Sequence, residues 1–174
     1  MKALMQMVLL FVVFCSDYIL EVSSAMDRSI LRAGRRYCAL SNLSKFSAIR
    51  EMIDPSEALV YGMSGVDEIM KGIENFHSQH HDVFWIFKSI EVIDDCPAVL
   101  IEFDRYWTVR EKLCDTKEVY CSSASEIIEF NVDGLIRSLK YKSRPSEPVL
   151  YGQYYPAEKF NVLAEAEKFV SDES

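Results

Sequence analysis

The chain has 174 residues, 49% apolar and 12% aromatic, and carries a net charge of −8. That length and apolar content suffice for one core, and the acidic balance leaves no basic stripe for a phosphate backbone, which argues against nucleic-acid partners. No P-loop or dinucleotide glycine fingerprint occurs; Gly62-Met63-Ser64-Gly65 is too short, lacks a following lysine, and reads as a turn before a helix.

Residues 1–25 differ from the rest. Lys2 precedes an apolar run from Met7 to Phe14, and Ser23-Ser24-Ala25 offers small residues for cleavage, which is the pattern of a signal peptide and too short for a membrane span. A secreted protein is therefore expected. The alternative is a cytoplasmic chain translated from Met26, because Asp17 and Glu21 are unusual in a leader. Cleavage removes Lys2, Asp17 and Glu21 and leaves the charge argument unchanged. It also leaves four cysteines, Cys38, Cys96, Cys114 and Cys121, whose spacings form no metal motif. Cys96 and Cys114 bracket a strand expected at 98–109, which at about 3.3 Å per residue holds them roughly 35 Å apart and unable to pair. Asn42-Leu43-Ser44 is a glycosylation sequon, usable if the chain is exported and that loop is exposed.

Asp27 or Ser29 can cap a first helix running to about Leu40, with Ile30, Leu31, Gly34, Tyr37, Cys38 and Leu40 on one stripe. A second, short helix starts at Ser44, carries Phe46, Ile49, Met52 and Ile53, and stops at Asp54-Pro55. Ala58 to Tyr61 reads as a short strand. Val66, Ile69, Met70, Ile73 and Phe76 follow helical spacing, so a third helix is expected over 65–79. The period then changes: 83–93, 98–109, 117–130 and 135–143 read as four long strands of an antiparallel meander. Residues 144–174 hold three prolines, Tyr151, Tyr154, Tyr155 and an acidic helical run from Val162 to Val170. They read as a C-terminal extension that packs back on the sheet or on a second subunit, or as a partly disordered tail.

The hairpin from Ser125 to Tyr141 is the most informative stretch. Asp133-Gly134 favours a two-residue turn that pairs Val132 with Leu135, Phe130 with Arg137, Ile128 with Leu139 and Glu126 with Tyr141. Glu126, Ile128, Leu139 and Tyr141 then share one mainly apolar face, and Glu129, Asn131, Ser138 and Lys140 the other. Glu126 is a candidate for a half-buried, perturbed acid, unless its place near the strand's start lets it reach solvent. The apolar pattern of the preceding strand sets Val99, Ile101 and Phe103 beside Ile128, Glu126 and Ala124, with Arg105 and Trp107 continuing that face. The result is an α+β fold, with three N-terminal helices packed on a curved, mainly antiparallel sheet and a pocket between them.

Three helices, a short strand between the second and third, and a long-stranded sheet ending in Phe130-Asn131-Val132-Asp133-Gly134-Leu135-Ile136 resemble the nuclear transport factor 2-like superfamily. That superfamily includes SnoaL-like polyketide cyclases and ketosteroid isomerase. The resemblance covers about 28–143 and rests most on Arg35-Arg36-Tyr37-Cys38-Ala39-Leu40, the helix from Gly65 to Phe76, and the Glu126–Tyr141 hairpin. It implies a SnoaL-like domain over 26–143 with a cone-shaped pocket, and a likeness in fold more than in activity. Ketosteroid isomerases hold a dienolate oxygen with a tyrosine on the first helix and an acid on a late strand; by motif position these are Tyr37 and Glu126. Their aspartate base falls at about Gly62, beside Tyr61, where no carboxylate stands. A missing base costs a factor of about 10² to 10⁴ in rate, which argues against steroid isomerase chemistry. The cyclases' acidic residue near the end of the last strand is absent too, since Lys142 and Ser143 follow Tyr141.

Tyr37 and Glu126 are thus the candidate catalytic or polarising pair, with Tyr141, Trp85, Phe103, Arg105 and Trp107 as candidate ligand-binding residues. The alternative for Tyr37 is a core tyrosine whose hydroxyl satisfies Glu126. Glu74, His77, His80, His81 and Asp82 form the richest cluster of metal-ligating types. At the end of a helix such histidines more simply meet terminal carbonyls, so no metal and no organic cofactor is expected. The resemblance extends to scytalone dehydratase, whose pocket histidines lie on strands. None of the three here is expected on one, which weighs against that chemistry. The expected function is binding of a small apolar molecule without efficient catalysis. A homodimer through the sheet is expected as well. The alternatives for function are an isomerase, cyclase or dehydratase acting on a small carbonyl compound, and a dimeric protein-interaction module whose pocket is filled by Phe76, Trp85 and Phe103.

Overall fold

The computed structural model describes residues 25–94, 96–108 and 118–172. Residues 1–24 of the segment read as a leader, the Val109 and Lys117 strand ends, and Cys114 therefore lie outside the described residues. Helix α1 spans 25–42, followed by α2 (Phe46–Glu51), β1 (Leu59–Val60), β2 (Met63–Ser64), α3 (Val66–Gln79), β3 (His81–Val92), β4 (Ala98–Thr108), β5 (Val119–Phe130), β6 (Ile136–Ser143), β7 (Val149–Gly152) and α4 (Glu158–Asp172). One sheet runs β2-β1-β6-β5-β4-β3, and β7 pairs with β5 where β6 has ended. Among the described strands every pairing is antiparallel except β1 on β6, beside which a single parallel bridge joins Ile53 to Ile136. The architecture is the expected α+β arrangement with a helical layer on a mostly antiparallel sheet that does not close.

Alternation decides which face of each strand meets the helices. Val99, Ile101 and Phe103 of β4 pair with Ile128, Glu126 and Ala124 of β5, as their apolar pattern requires. On β3, Trp85 and Phe87 face Arg105 and Phe103; a register shift between Phe87 and Ser89 then lets Ile90 and Val92 meet Ile101 and Val99, so the apolar face survives an inserted residue. These side chains pack with Ile30, Leu40, Ile49 and Ile69 of the helices and Leu139 of β6 into the main core. Gly34 permits the close approach of α1: a Cβ there would lie 2.9 Å from Val99 Cγ2. Asn42, the sequon residue, is buried, donating Nδ2 to the Trp85 carbonyl and accepting the Trp85 N–H on Oδ1. A glycan on Nδ2 would break that clasp between α1 and β3, so the sequon is a structural asparagine in this fold.

The β5–β6 hairpin departs from expectation at its tip only. Glu126 faces Tyr141 and Ile128 faces Leu139, but Phe130 faces Ile136 rather than Arg137. Asp133-Gly134 does not form the two-residue turn. The Gly134 N–H donates to the Asn131 carbonyl, Gly134 alone adopts positive φ (77°), and Asn131 Oδ1 accepts from the backbone of Asp133 and Leu135. This is a three-residue loop closed by a left-handed glycine, and its odd residue is absorbed by the shift between Glu129 and Phe130. On the outer face Lys140 and Glu129 pair at 2.8 Å.

The C-terminal extension is built onto the fold. Tyr155 packs on Phe84 and donates its hydroxyl to the Asp82 carbonyl, Tyr151 meets Tyr106 edge-on, and Phe84, Tyr106 and Val119 form a second, outer core cluster. Helix α4 lies against β3, with Lys159 over Phe84 near its start and Val170 packed on the main core near its end. It thereby covers the edge strand of the sheet.

Candidate functional site

A cavity of about 140 Å³ lies between α1, α3 and the concave sheet face. Its walls are mainly apolar, with Ile73 and Phe76 from α3, Trp85 and Phe87 from β3, and Ile101 and Phe103 from β4. Phe76, Trp85 and Phe103 line this space rather than fill it. Six of the seven candidate residues, Tyr37, Trp85, Phe103, Arg105, Glu126 and Tyr141, reach the cavity. Trp107 does not line it. It shares the face of Arg105 two residues further along β4, is buried, and packs beneath the Arg105 guanidinium and against Tyr120.

Glu126 is more deeply enclosed than a strand-end residue, at 6% exposed, because Ile101 and Tyr141 flank it on the neighbouring strands. Burial raises its carboxyl pKa to about 7, with the Tyr61 hydrogen bond and the Arg105 charge pulling the other way. The hydroxyl that meets it belongs to Tyr61, which donates to Oε1 at 2.5 Å. Tyr37 instead bonds within its own helix to Ser41, and its phenol is raised first by burial and then by the nearby Glu126 charge. Tyr37 therefore borders the acid without satisfying it.

Tyr61 was invisible to periodicity. It follows β1 in a tight turn, at an unusual positive φ of 50° for a side-chain-bearing residue, and its N–H donates to the Leu139 carbonyl. The parallel pairing of β1 on β6 carries it to the hairpin 65 residues away in sequence, where its ring also packs on Tyr141 at 4.8 Å. Although 39% of the residue is exposed, its hydroxyl ends at the buried acid, and desolvation holds that phenol well above its ordinary value. The Tyr141 phenol is raised as well, again by burial first. Three neutral phenols thus surround one carboxyl group that is near half-ionised at neutral pH.

His77 is a second cavity residue missed in the sequence. It lies four residues after Ile73 on the apolar stripe of α3, and that spacing was the available signal. Burial and the neighbouring His80 lower its pKa to about 4, so it faces the cavity as a neutral imidazole. His80 Nδ1 meets the Phe76 carbonyl at the helix end, as expected of a histidine there. His81 corrects the expectation that no histidine lies on a strand, since β3 begins at it rather than at Val83. Among the described residues no three His, Cys, Asp or Glu side chains converge on a metal position. Cys38, Cys96 and Cys121 are free thiols.

Chemically, the arrangement can hold a carbonyl or hydroxyl oxygen against neutral donors, and Glu126 can give or take one proton near pH 7. No family model matches the sequence, and no curated protein matches it. Solved structures do match its fold. SalBIII, an epoxide hydrolase/cyclase-like enzyme of pyran ring formation in salinomycin, superposes with a TM-score of 0.60 at 14% identity, over 72% of this chain and 98% of its own. A protein of unknown function from Exiguobacterium sp. 255-15 gives 0.55 at 14% identity, over 66% and 98%. A protein assigned as a SnoaL-like polyketide cyclase from Jannaschia sp. CCS1 gives 0.54 at 9% identity, over 67% and 85%. The fold is nuclear transport factor 2-like. In this nuclear transport factor 2-like cone, α1 to α3 cap the concave face and Glu126 stands on its floor. At these identities the likeness is one of architecture, and the site has to be read from its own residues.

Proposed function

We propose that the chain binds a small, mostly apolar molecule of about single-ring size in the cone, with Glu126, Tyr61 and Tyr37 around the ligand's carbonyl or hydroxyl oxygen. The observation that carries this reading is a carboxyl group 6% exposed on the floor of an aromatic-walled cavity of about 140 Å³. An engineered apolar cavity of about 150 Å³ accommodates benzene, which sets the ligand scale. Neither base position of the cyclase and isomerase pattern holds a carboxylate, which supports binding over efficient turnover. Export, on the composition of residues 1–25, and pairing of two copies through the outer sheet face complete the proposal. Native mass spectrometry of the protein from its own source reads processing, copy number and any retained molecule together.

A second reading, an isomerase, cyclase or dehydratase acting on a small carbonyl compound, is favoured by one observation: Glu126, raised to about 7, has the proton affinity that the absent bases would have supplied. The cyclase-like SalBIII is consistent with such use of the cone. Phenol and cyclohex-2-enone are the probes for both readings. Ligand-observed NMR should show binding to the full chain, weakened about tenfold in Glu126→Gln and Tyr61→Phe with the fold retained. Unchanged affinity in both variants contradicts the site. Hydrogen–deuterium exchange of the bound enone that depends on Glu126 supports turnover, and no exchange supports binding alone.

A further inference from the structure

Arg105 is the charged group of the cavity that the reading above leaves unused. It comes from β4, pairs across the sheet with Trp85 and Ser122, and lines the cavity with Glu126 and Tyr141. Its guanidinium lies over the rings of Phe76 and Trp107, at 5.0 and 5.1 Å from their centroids, and Nη2 donates to Ser122 Oγ at 3.2 Å. Two aromatic contacts and two hydroxyls, those of Ser122 and Tyr141, hold the group in place without neutralising it. Among the described residues no carboxylate forms an ion pair with it. Its Nε is buried and meets no acceptor. A guanidinium cannot shed its proton to escape such a position, and buried N–H groups as a rule find acceptors.

We propose that the cavity's ligand carries a carboxylate, bound by Arg105, so that the substrate class is a single-ring organic acid with its apolar body against Trp85 and Phe103. This deepens the pocket reading and rests on it. The planar fork of arginine suits a carboxylate in two-point contact, and the aromatic walls exclude the water that would otherwise weaken the pair. Glu126 remains for a second oxygen at the other polar point of the cavity. A merely structural arginine would have spent its donors on backbone carbonyls or on a partner carboxylate. Here the guanidinium meets the hydroxyls of Ser122 and Tyr141, and its buried Nε is left over.

The test compares benzoate with its neutral isostere benzamide, and with phenol, by titration calorimetry on the full chain and on Arg105→Gln and Arg105→Lys. Wild type should bind benzoate about tenfold or more tightly than benzamide, as expected when one charged contact replaces a neutral one. R105Q should lose that preference, and R105K should retain part of it. Equal affinities for benzoate and benzamide in wild type, or an undiminished preference in R105Q, overturn the proposal, and the wild-type ratio decides even if a variant does not fold. Phenol binding with no benzoate advantage removes the acid class and leaves the pocket reading standing. No binding of any of the three removes both.

Discussion

At the residue scale, Glu126 couples stability to pH. Its folded-state pKa of about 7 lies above the ordinary 4.5, so the folded chain holds its proton more tightly than the unfolded one. The Glu126 contribution to stability should be full below about pH 4.5 and decline by roughly 3 kcal/mol as pH rises towards 7, then level off. Urea denaturation across that range should show this slope in wild type and lose it in Glu126→Gln; an identical slope in the variant contradicts the burial argument. Because the Tyr61 hydroxyl favours the ionised carboxylate, Tyr61→Phe should extend the decline above pH 7 in the same experiment. Glu126 was legible in the sequence because strand alternation placed a carboxylate among Ile128, Leu139 and Tyr141. Tyr61 was not, because a parallel pairing distant in sequence delivers it, and no local period records such a pairing.

At the element scale, two close approaches set the cone's shape. An alanine at an exposed helix position normally stabilises relative to glycine by about 1 kcal/mol. At Gly34 the sign should reverse, with Gly34→Ala costing about 1–3 kcal/mol because its Cβ would press on Val99 and push α1 off β4. The penalty should shrink in a Val99→Ala background, as chemical denaturation of the four proteins of the cycle would show. The other approach joins the turn after α2 to the β5–β6 loop. Asp54 accepts from the backbone N–H groups of Ser56 and Glu57, from the Ser56 hydroxyl, and from Asn131 Nδ2 at 2.7 Å, which lowers its pKa to about 2. That contribution is present above about pH 4 and lost as pH falls through 2. Asp54→Asn should therefore destabilise at neutral pH, with the difference from wild type closing in acid. Asn131 explains why the hairpin's body was readable and its tip was not. Periodicity reports the strands, whereas an asparagine side chain bonding two backbone N–H groups of its own loop outweighed the Asp-Gly preference.

At the scale of the whole molecule, the helix–sheet layering was legible because its periods are long and clean, while the part played by residues 144–174 was not. Their prolines and scattered tyrosines have no period, yet Tyr155 and β7 close the outer cluster around Phe84, Tyr106 and Val119. Ending the chain at Ser143 should cost roughly 3 kcal/mol or more, from the apolar surface of those residues returned to water, and appear as a lowered Tm. A Tm equal to the full chain's would make the extension an appendage. The fold places a titrating acid on the floor of a small apolar cone, and a carbon-13 NMR pH titration of the glutamate side chains, with and without phenol, reads that acid directly. A Glu126 carboxyl with a midpoint near 7 that phenol displaces is the expected result; a midpoint near 4.5, unmoved by phenol, would contradict a buried ligand-sensing acid.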